Sequence, residues 1–187
     1  MYEFTYNRPT SVEDAAGLLR KSSEASLLAG GMSLIPIMKL RLSSPPELVD
    51  LNGLPDLSGI KLDGDTLTIG AMTRHADVTA SGEVAGAIPA LTELAGGIGD
   101  VQVRNRGTIG GSICFNDPAA DYPAGLVGLG ATVNTNQRSI AADEFFVSLY
   151  ETALENGEIV TSVSFPVPQK AGWSKFKLVT WTDFLTF

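Results

Sequence analysis

Apolar and polar residues in the first fifty positions follow two periodicities that alternate along the chain. Short apolar or alternating runs are typical of strands, and an apolar face recurring every three to four residues is typical of a helix. After Ser11, a favoured N-cap residue, Val12, Ala15, Ala16 and Leu19 recur at helical spacing. The complete pattern predicts strands at residues 2–7, 26–29 and 48–50, a helix after Ser11, and a helix at residues 33–40. This order predicts a small β-α-β-α-β unit with parallel strands.

Beyond residue 54 the pattern becomes that of a mixed α+β unit. Residues 57–62 and 67–69 alternate with period two around Asp63-Gly64-Asp65, which predicts an antiparallel hairpin. Helices are predicted after Thr73 as N-cap, from Pro89 to Gly96-Gly97, from Pro123, and at residues 143–150. Further strands are predicted at residues 131–133, 158–165 and 173–179.

Two glycine pairs stand out from this pattern. Gly30-Gly31 follows the second predicted strand and precedes a helix, which is a layout that binds phosphate groups. Gly110-Gly111 lies between the hydroxyl residues Thr108 and Ser112, and we expect positive φ there, with main-chain N–H groups open to an anion. One glycine pair alone is more often a structural turn, but two such pairs flanked by hydroxyls favour a ligand with a diphosphate. Neither Gly-x-Gly-x-x-Gly nor a P-loop occurs in the chain.

These segments resemble the signatures of a known family. Residues 29–39 read Ala-Gly-Gly-x-Ser-Leu-x-Pro-x-Met-Lys, and residues 104–121 contain Arg-Asn-Arg-Gly-Thr-Ile-Gly-Gly-Ser followed by Asp-Pro-Ala-Ala-Asp. Both are similar to motifs of the FAD-binding medium subunit of molybdenum hydroxylases, the group of the carbon monoxide dehydrogenase medium subunit and the xanthine dehydrogenase FAD domain. The resemblance continues through residues 142–146 and 158–160. It implies an α+β, PCMH-type FAD-binding fold of two subdomains.

The resemblance also implies a set of cofactor-binding residues. It places the FAD diphosphate between the two glycine segments and the adenosine ribose at Asp121. The implied contacts are Leu27, Leu28, Ala29, Gly30, Gly31, Met32, Ser33, Leu34, Ile98, Thr108, Ile109, Gly110, Gly111, Ser112, Asp121, Ile159 and Lys177.

Alternatives remain for several of these residues. On the sequence alone, Ile98 and Ile159 are interpreted as core residues and Lys177 as a solvated lysine of a strand, and Asp121 is also explained as the cap of a helix. No catalytic acid–base pair stands out, because the flavin itself carries the chemistry. His75 has no metal partner at ligand spacing, and Cys114 is interpreted as a small buried residue.

The family places electron transfer in a larger assembly. It implies electrons passing from a molybdopterin large subunit through the [2Fe–2S] clusters of a small subunit to this FAD, and then to an external acceptor: NAD, a quinone or oxygen. Two other interpretations stay open. In the first, the chain is a free-standing flavoprotein oxidoreductase of the same superfamily. In the second, it is a truncated, non-catalytic assembly module that no longer holds FAD.

Composition narrows the class of protein. The 187 residues carry a formal charge of −8, which argues against sequence-independent nucleic-acid binding. One cysteine and one histidine cannot hold an iron–sulfur cluster, so any such cluster belongs to a partner. No apolar run is long enough to span a bilayer, and we expect a soluble, cytoplasmic protein without a membrane span.

The sequence also predicts domain limits. We expect the N-terminal α/β subdomain at residues 1–54, the second α+β subdomain at 55–175, and the start of a truncated C-terminal region at 176–187. On this interpretation the C-terminal domain of the family is absent.

Overall fold

A computed structural model describes residues 1–175 of the chain. Its first fifty residues form the predicted β-α-β-α-β unit. The elements are β1 (Thr5–Asn7), α1 (Val12–Lys21), β2 (Ser26–Leu28), α2 (Leu34–Lys39) and β3 (Glu47–Asp50). The three strands are parallel in the order β1-β3-β2, which confirms the predicted parallel unit. Two 3-10 turns, Leu51–Gly53 and Pro55–Leu57, lead out of it.

Helix α1 forms where the sequence predicts it, for local reasons. The Ser11 hydroxyl accepts a hydrogen bond from the Asp14 main-chain N–H at 3.0 Å, which satisfies one of the donors left free at a helix N-terminus. Ala15 and Ala16 are buried on the face that packs toward β3. Arg20 and Lys21 in the last turn match the negative end of the helix dipole.

The second part of the chain is built on a five-stranded antiparallel sheet. Its elements are β4 (Ile60–Asp63), β5 (Thr66–Gly70), α3 (His75–Ala80), α4 (Gly82–Ala87), α5 (Pro89–Gly96), α6 (Val101–Arg106), α7 (Ile109–Phe115), α8 (Tyr122–Gly128), β6 (Thr132–Thr135), β7 (Ser139–Ala141), α9 (Ala142–Phe145), β8 (Phe146–Ser148), β9 (Glu151–Thr152) and β10 (Val160–Pro166). The sheet order is β4-β5-β10-β6-β7, and β8 pairs with β9 separately. The division predicted at residues 54 and 55 falls between the two sheets.

Several predicted boundaries are wrong. Leu57 belongs to a 3-10 turn and not to β4. Helix α3 begins after Arg74, because the Thr73 hydroxyl instead donates to the carbonyl of Gly59 and accepts from its N–H, both at 3.0 Å. The helix predicted at residues 143–150 ends at Phe145, and the chain then turns into β8. Residues 173–175 lie in no strand, and residues 176–179 of that predicted strand lie outside the described residues.

A large core and a small core meet near the glycine segments. The large core lies between the five-stranded sheet and helices α3, α5, α7 and α8, where Leu91, Ile113 and Tyr122 are fully buried. The small core lies under the parallel sheet and receives Met72 and Ile159 from the second part of the chain. The two parts are therefore packed against each other through shared apolar side chains.

Candidate functional site

The two glycine segments, distant in sequence, are in contact. A Cβ atom built on Gly30 overlaps the carbonyl oxygen of Arg106 and lies 2.8 Å from Gly107 Cα. A Cβ built on Gly111 lies 3.5 Å from Ala29 Cβ. The residues that the sequence assigns to a single ligand site are thus brought together, and only glycine fits at position 30.

The first segment, residues 29–33, is an open loop between β2 and α2. Gly30 and Gly31 are buried, and Gly31 has a φ of +74°, a conformation that glycine adopts without strain. Within residues 1–175, the main-chain N–H groups of residues 30–34 have no protein acceptor. Five successive free donors make an anion-binding surface of the kind that holds diphosphates.

A polar network at the end of β3 fixes this loop. Asn52 Nδ2 donates to the carbonyl of Ala29 at 2.9 Å and to Asp50 Oδ1 at 2.6 Å. The Tyr6 hydroxyl donates to the other carboxylate oxygen of Asp50. Burial raises the pKa of Asp50, but the hydrogen bonds from Tyr6 and Asn52 outweigh it and bring the pKa below its ordinary value. Asp50 is therefore a carboxylate at neutral pH and holds Asn52 against the loop.

The second segment differs from its prediction. Gly110 and Gly111 lie in the first turn of α7, and neither has the expected positive φ. Their N–H groups are already bonded, Gly110 to the carbonyl of Ala71 at 2.8 Å and Gly111 to the Thr108 hydroxyl at 3.1 Å. The expectation of open N–H groups at this pair is therefore wrong. Gly110 is required because a Cβ there would lie 2.7 Å from both Ala71 Cβ and its carbonyl oxygen.

The second segment places two hydroxyl groups next to the first segment, where a ligand can contact them. Thr108 is the N-cap of α7, and Ser112 is partly exposed one turn later. Ile109 is fully buried, and its N–H donates to the carbonyl of Thr73 at 3.1 Å. Gly111 is partly exposed, and a Cβ there would lie 2.9 Å from the Thr108 hydroxyl oxygen.

The other predicted cofactor contacts differ in how far their side chains are buried. Asp121 precedes α8 without capping it, and its carboxylate, 11% exposed, pairs with Lys175 at 2.7 Å. Ile98 is partly buried between α5 and α6, and Ile159 is 1% exposed in the small core, as the alternative interpretation of both predicts. Lys177 lies outside the described residues. Met32 and Ser33 of the first segment are exposed, while the flanking Leu27, Leu28 and Leu34 are partly buried.

Sequence reasoning did not predict that His75 would be buried next to Gly107. Its side chain is 4% exposed, its ring centroid lies 5.4 Å from that of Tyr122, and a Cβ built on Gly107 would lie 2.6 Å from its Nε2 atom. Burial, together with the charge of Arg104, lowers the pKa of His75 to about 4. Burial raises the pKa of the Cys114 thiol to about 12, so this residue is not an active nucleophile.

Within residues 1–175, no group of three or more His, Cys, Asp and Glu side chains is arranged to hold a metal ion. In the same range, no helix combines the length and apolar character needed to cross a membrane.

Comparison with known proteins places this geometry in a family. Residues 2–168 match the family described as the FAD binding domain in molybdopterin dehydrogenase. The chain belongs to this family, whose cofactor is FAD and whose fold is of the PCMH type.

The relatives include medium chains of several dehydrogenases. The carbon monoxide dehydrogenase medium chain of Hydrogenophaga pseudoflava is 43% identical over 181 residues, which cover 94% of this chain and 63% of that protein. The glyceraldehyde dehydrogenase medium chain of Sulfolobus acidocaldarius is 40% identical over 169 residues, covering 88% and 60%.

Solved structures agree with the sequence comparison. Carbon monoxide dehydrogenase from Hydrogenophaga pseudoflava superposes with a TM-score of 0.86 at 43% identity, covering 89% of this chain and 60% of that one. Quinoline 2-oxidoreductase from Pseudomonas putida 86 gives a TM-score of 0.87 at 34% identity, covering 90% and 60%. The chain thus spans about 60% of the length of the relatives it matches.

Proposed function

We propose that this chain holds FAD between its two glycine segments and serves as the electron-transferring medium subunit of a molybdenum hydroxylase similar to carbon monoxide dehydrogenase. The observation that carries the proposal is the row of N–H groups at residues 30–34, which have no protein acceptor within residues 1–175, next to Gly111. Main-chain donors of this kind match a diphosphate, which presents several acceptor oxygens and negative charge.

The residues have distinct tasks in this proposal. Gly30, Gly31, Met32, Ser33 and Leu34 donate main-chain hydrogen bonds to the diphosphate. Thr108 and Ser112 add hydroxyl contacts, Ala29 and Gly111 form the floor, and Asp121 accepts from the adenosine ribose hydroxyls. The remaining proposed contacts are Leu27, Leu28, Ile98, Ile109, Gly110, Ile159 and Lys177, carried over from the family pattern.

Within residues 1–175, Asp121 is the one proposed ligand residue with a charged partner. The Asp121 carboxylate pairs with the Lys175 ammonium, and its two oxygens can accept from two ribose hydroxyls. Lys175 is about half exposed, so its ammonium can turn to solvent when a ribose approaches.

The redox chemistry belongs to the cofactor. When bound, FAD supplies the exchange between one-electron and two-electron carriers that links iron–sulfur clusters to an external acceptor. The proposed partners are a [2Fe–2S] small subunit and a molybdopterin large subunit, with NAD, a quinone or oxygen as acceptor. The reaction class is that of an oxidoreductase.

The proposal predicts which part of the ligand controls affinity. We expect FAD to bind at least about 100-fold more tightly than riboflavin, because riboflavin lacks the diphosphate that the N–H row would hold. ADP should compete with FAD, whereas adenosine should compete far less. Flavin fluorescence titrations of the purified chain measure both effects. Equal affinities for FAD and riboflavin would show that the N–H row does not hold the diphosphate.

A further inference from the structure

A second pocket lies beside the glycine segments, where the two parts of the chain meet. Its volume is about 240 Å³. We name it the boundary pocket and define it by its lining residues: Leu51, Asn52, Leu54, Pro55, Ser58, Met72, Arg74, Asp77, Arg106 and Thr108. Of the proposed flavin contacts, only Thr108 lines it, so most of the pocket lies outside the proposed cofactor site.

The apolar and the charged residues of the boundary pocket differ in exposure. Leu51, Leu54 and Met72 are the buried apolar residues of the lining. The rim carries the exposed side chains of Arg74 and Arg106. Arg74 forms an antiparallel bridge with Thr108, and Arg106 lies two residues before Thr108 in the chain. The pocket therefore combines buried apolar residues with two guanidinium groups.

The two arginines lack acidic partners within residues 1–175. No carboxylate oxygen lies within 4.0 Å of either guanidinium group in that range. Asp77, the acidic residue of the rim, instead accepts from the main-chain N–H of Arg74 at 3.4 Å. Two positive charges thus stand against one negative charge at this rim, on a chain whose formal charge is −8.

We propose that the boundary pocket binds a small oxyanion, a phosphate or carboxylate group, separately from FAD. Guanidinium groups match such anions with paired hydrogen bonds, and the hydroxyl of Ser58 is a further donor in the same lining. The carboxylate of Asp77 can accept from a hydroxyl group next to the anion.

The position of the pocket links it to the cofactor loop. The carbonyl of Arg106 and the Cα of Gly107 form the surface on which Gly30 rests. Asn52, which also lines the pocket, donates to the carbonyl of Ala29. The boundary pocket therefore adjoins two contacts of the first glycine segment, one at Arg106 and one at Asn52.

An NMR titration of the full chain tests this site without requiring flavin. Inorganic phosphate and, separately, acetate are added at constant ionic strength while the arginine Nε–H signals are followed. We expect saturable shifts of the Arg74 and Arg106 signals. Arg74→Gln and Arg106→Gln should each weaken binding about tenfold, the effect of losing one charge-assisted contact. Lys61→Gln, which removes one positive charge on the distant β4, should leave the affinity unchanged.

The same titration with saturating FAD separates this proposal from the proposed function. The phosphate response should persist when FAD is bound, and it should be present even if the chain binds no flavin. The relative response to phosphate and acetate identifies the preferred oxyanion. Shifts without saturation, an equal loss in Lys61→Gln, or displacement of phosphate by FAD would overturn the proposal. The wild-type signals decide the matter even if a substituted chain fails to fold.

Discussion

Alanine at position 30 is expected to abolish FAD binding by this chain. The new Cβ would overlap the carbonyl oxygen of Arg106 and lie 2.7 Å from its carbonyl carbon, and both are main-chain atoms that cannot rotate away. The two glycine segments must then separate, which would break the surface proposed for the diphosphate. We expect Gly30→Ala to raise the dissociation constant for FAD at least about 100-fold and to lower the free energy of unfolding by about 2 kcal/mol.

Gly82→Ala is the matched control for this substitution. Gly82 begins α4, and a Cβ atom built there has no other atom within 4 Å. Flavin fluorescence titration and urea unfolding of both variants measure the two effects. If Gly30→Ala bound FAD as tightly as Gly82→Ala does, the contact between the glycine segments would not matter for the cofactor.

Acidification should destabilise the chain through its one histidine before the carboxylates titrate. The pKa of His75 in the folded protein is about 4, below the value of 6.5 expected when unfolded. Between these two pKa values, His75 binds a proton in the unfolded chain but not in the folded chain. The contribution of neutral His75 to the free energy of unfolding is therefore complete above pH 6.5 and is lost as the pH falls. We expect the free energy of unfolding to drop by about 2 kcal/mol between pH 7.5 and pH 5.

Two substitutions isolate this effect. His75→Phe and His75→Gln do not titrate, so their unfolding free energies should change much less over the same range, whatever their absolute stability. Arg138 holds the pKa of the buried Glu158 below its ordinary value of 4.5, so the contribution of that carboxylate is lost only at lower pH. Urea unfolding at a series of pH values provides the measurement. Parallel pH profiles for wild type and both variants would rule out His75 as the titrating group.

The sequence predicts the parallel unit well, because its signals are local. Ser11 marks the start of α1, and the apolar runs of β2 and β3 are too short for helices. The loop at Gly30-Gly31 is predicted by a local signal too, because a glycine pair follows the apolar run of β2 after a single residue. Its contact with Arg106 and Gly107 is consistent with the family motifs but could not be derived from spacing alone.

The failures have a common physical cause, which is tertiary packing that overrides local preference. Gly110-Gly111 suggests a loop, yet α7 forms there because Gly110 packs on Ala71 and Thr108 caps the helix. Residues 146–150 suggest a continued helix, yet Asn116 Nδ2 bonds the carbonyls of Ser148 and Glu151 and holds a hairpin. The burial of His75 depends on Tyr122 and Gly107, both far from it in sequence.

The central claim is that the two glycine segments form one working FAD site, and cofactor retention tests it most directly. The purified chain is mixed with FAD and desalted, and its visible absorption spectrum is recorded beside that of Gly30→Ala. The claim predicts flavin bands that stay with the wild-type chain at about one FAD per chain and are lost from the variant. A folded wild-type chain that loses all its flavin on desalting would contradict it.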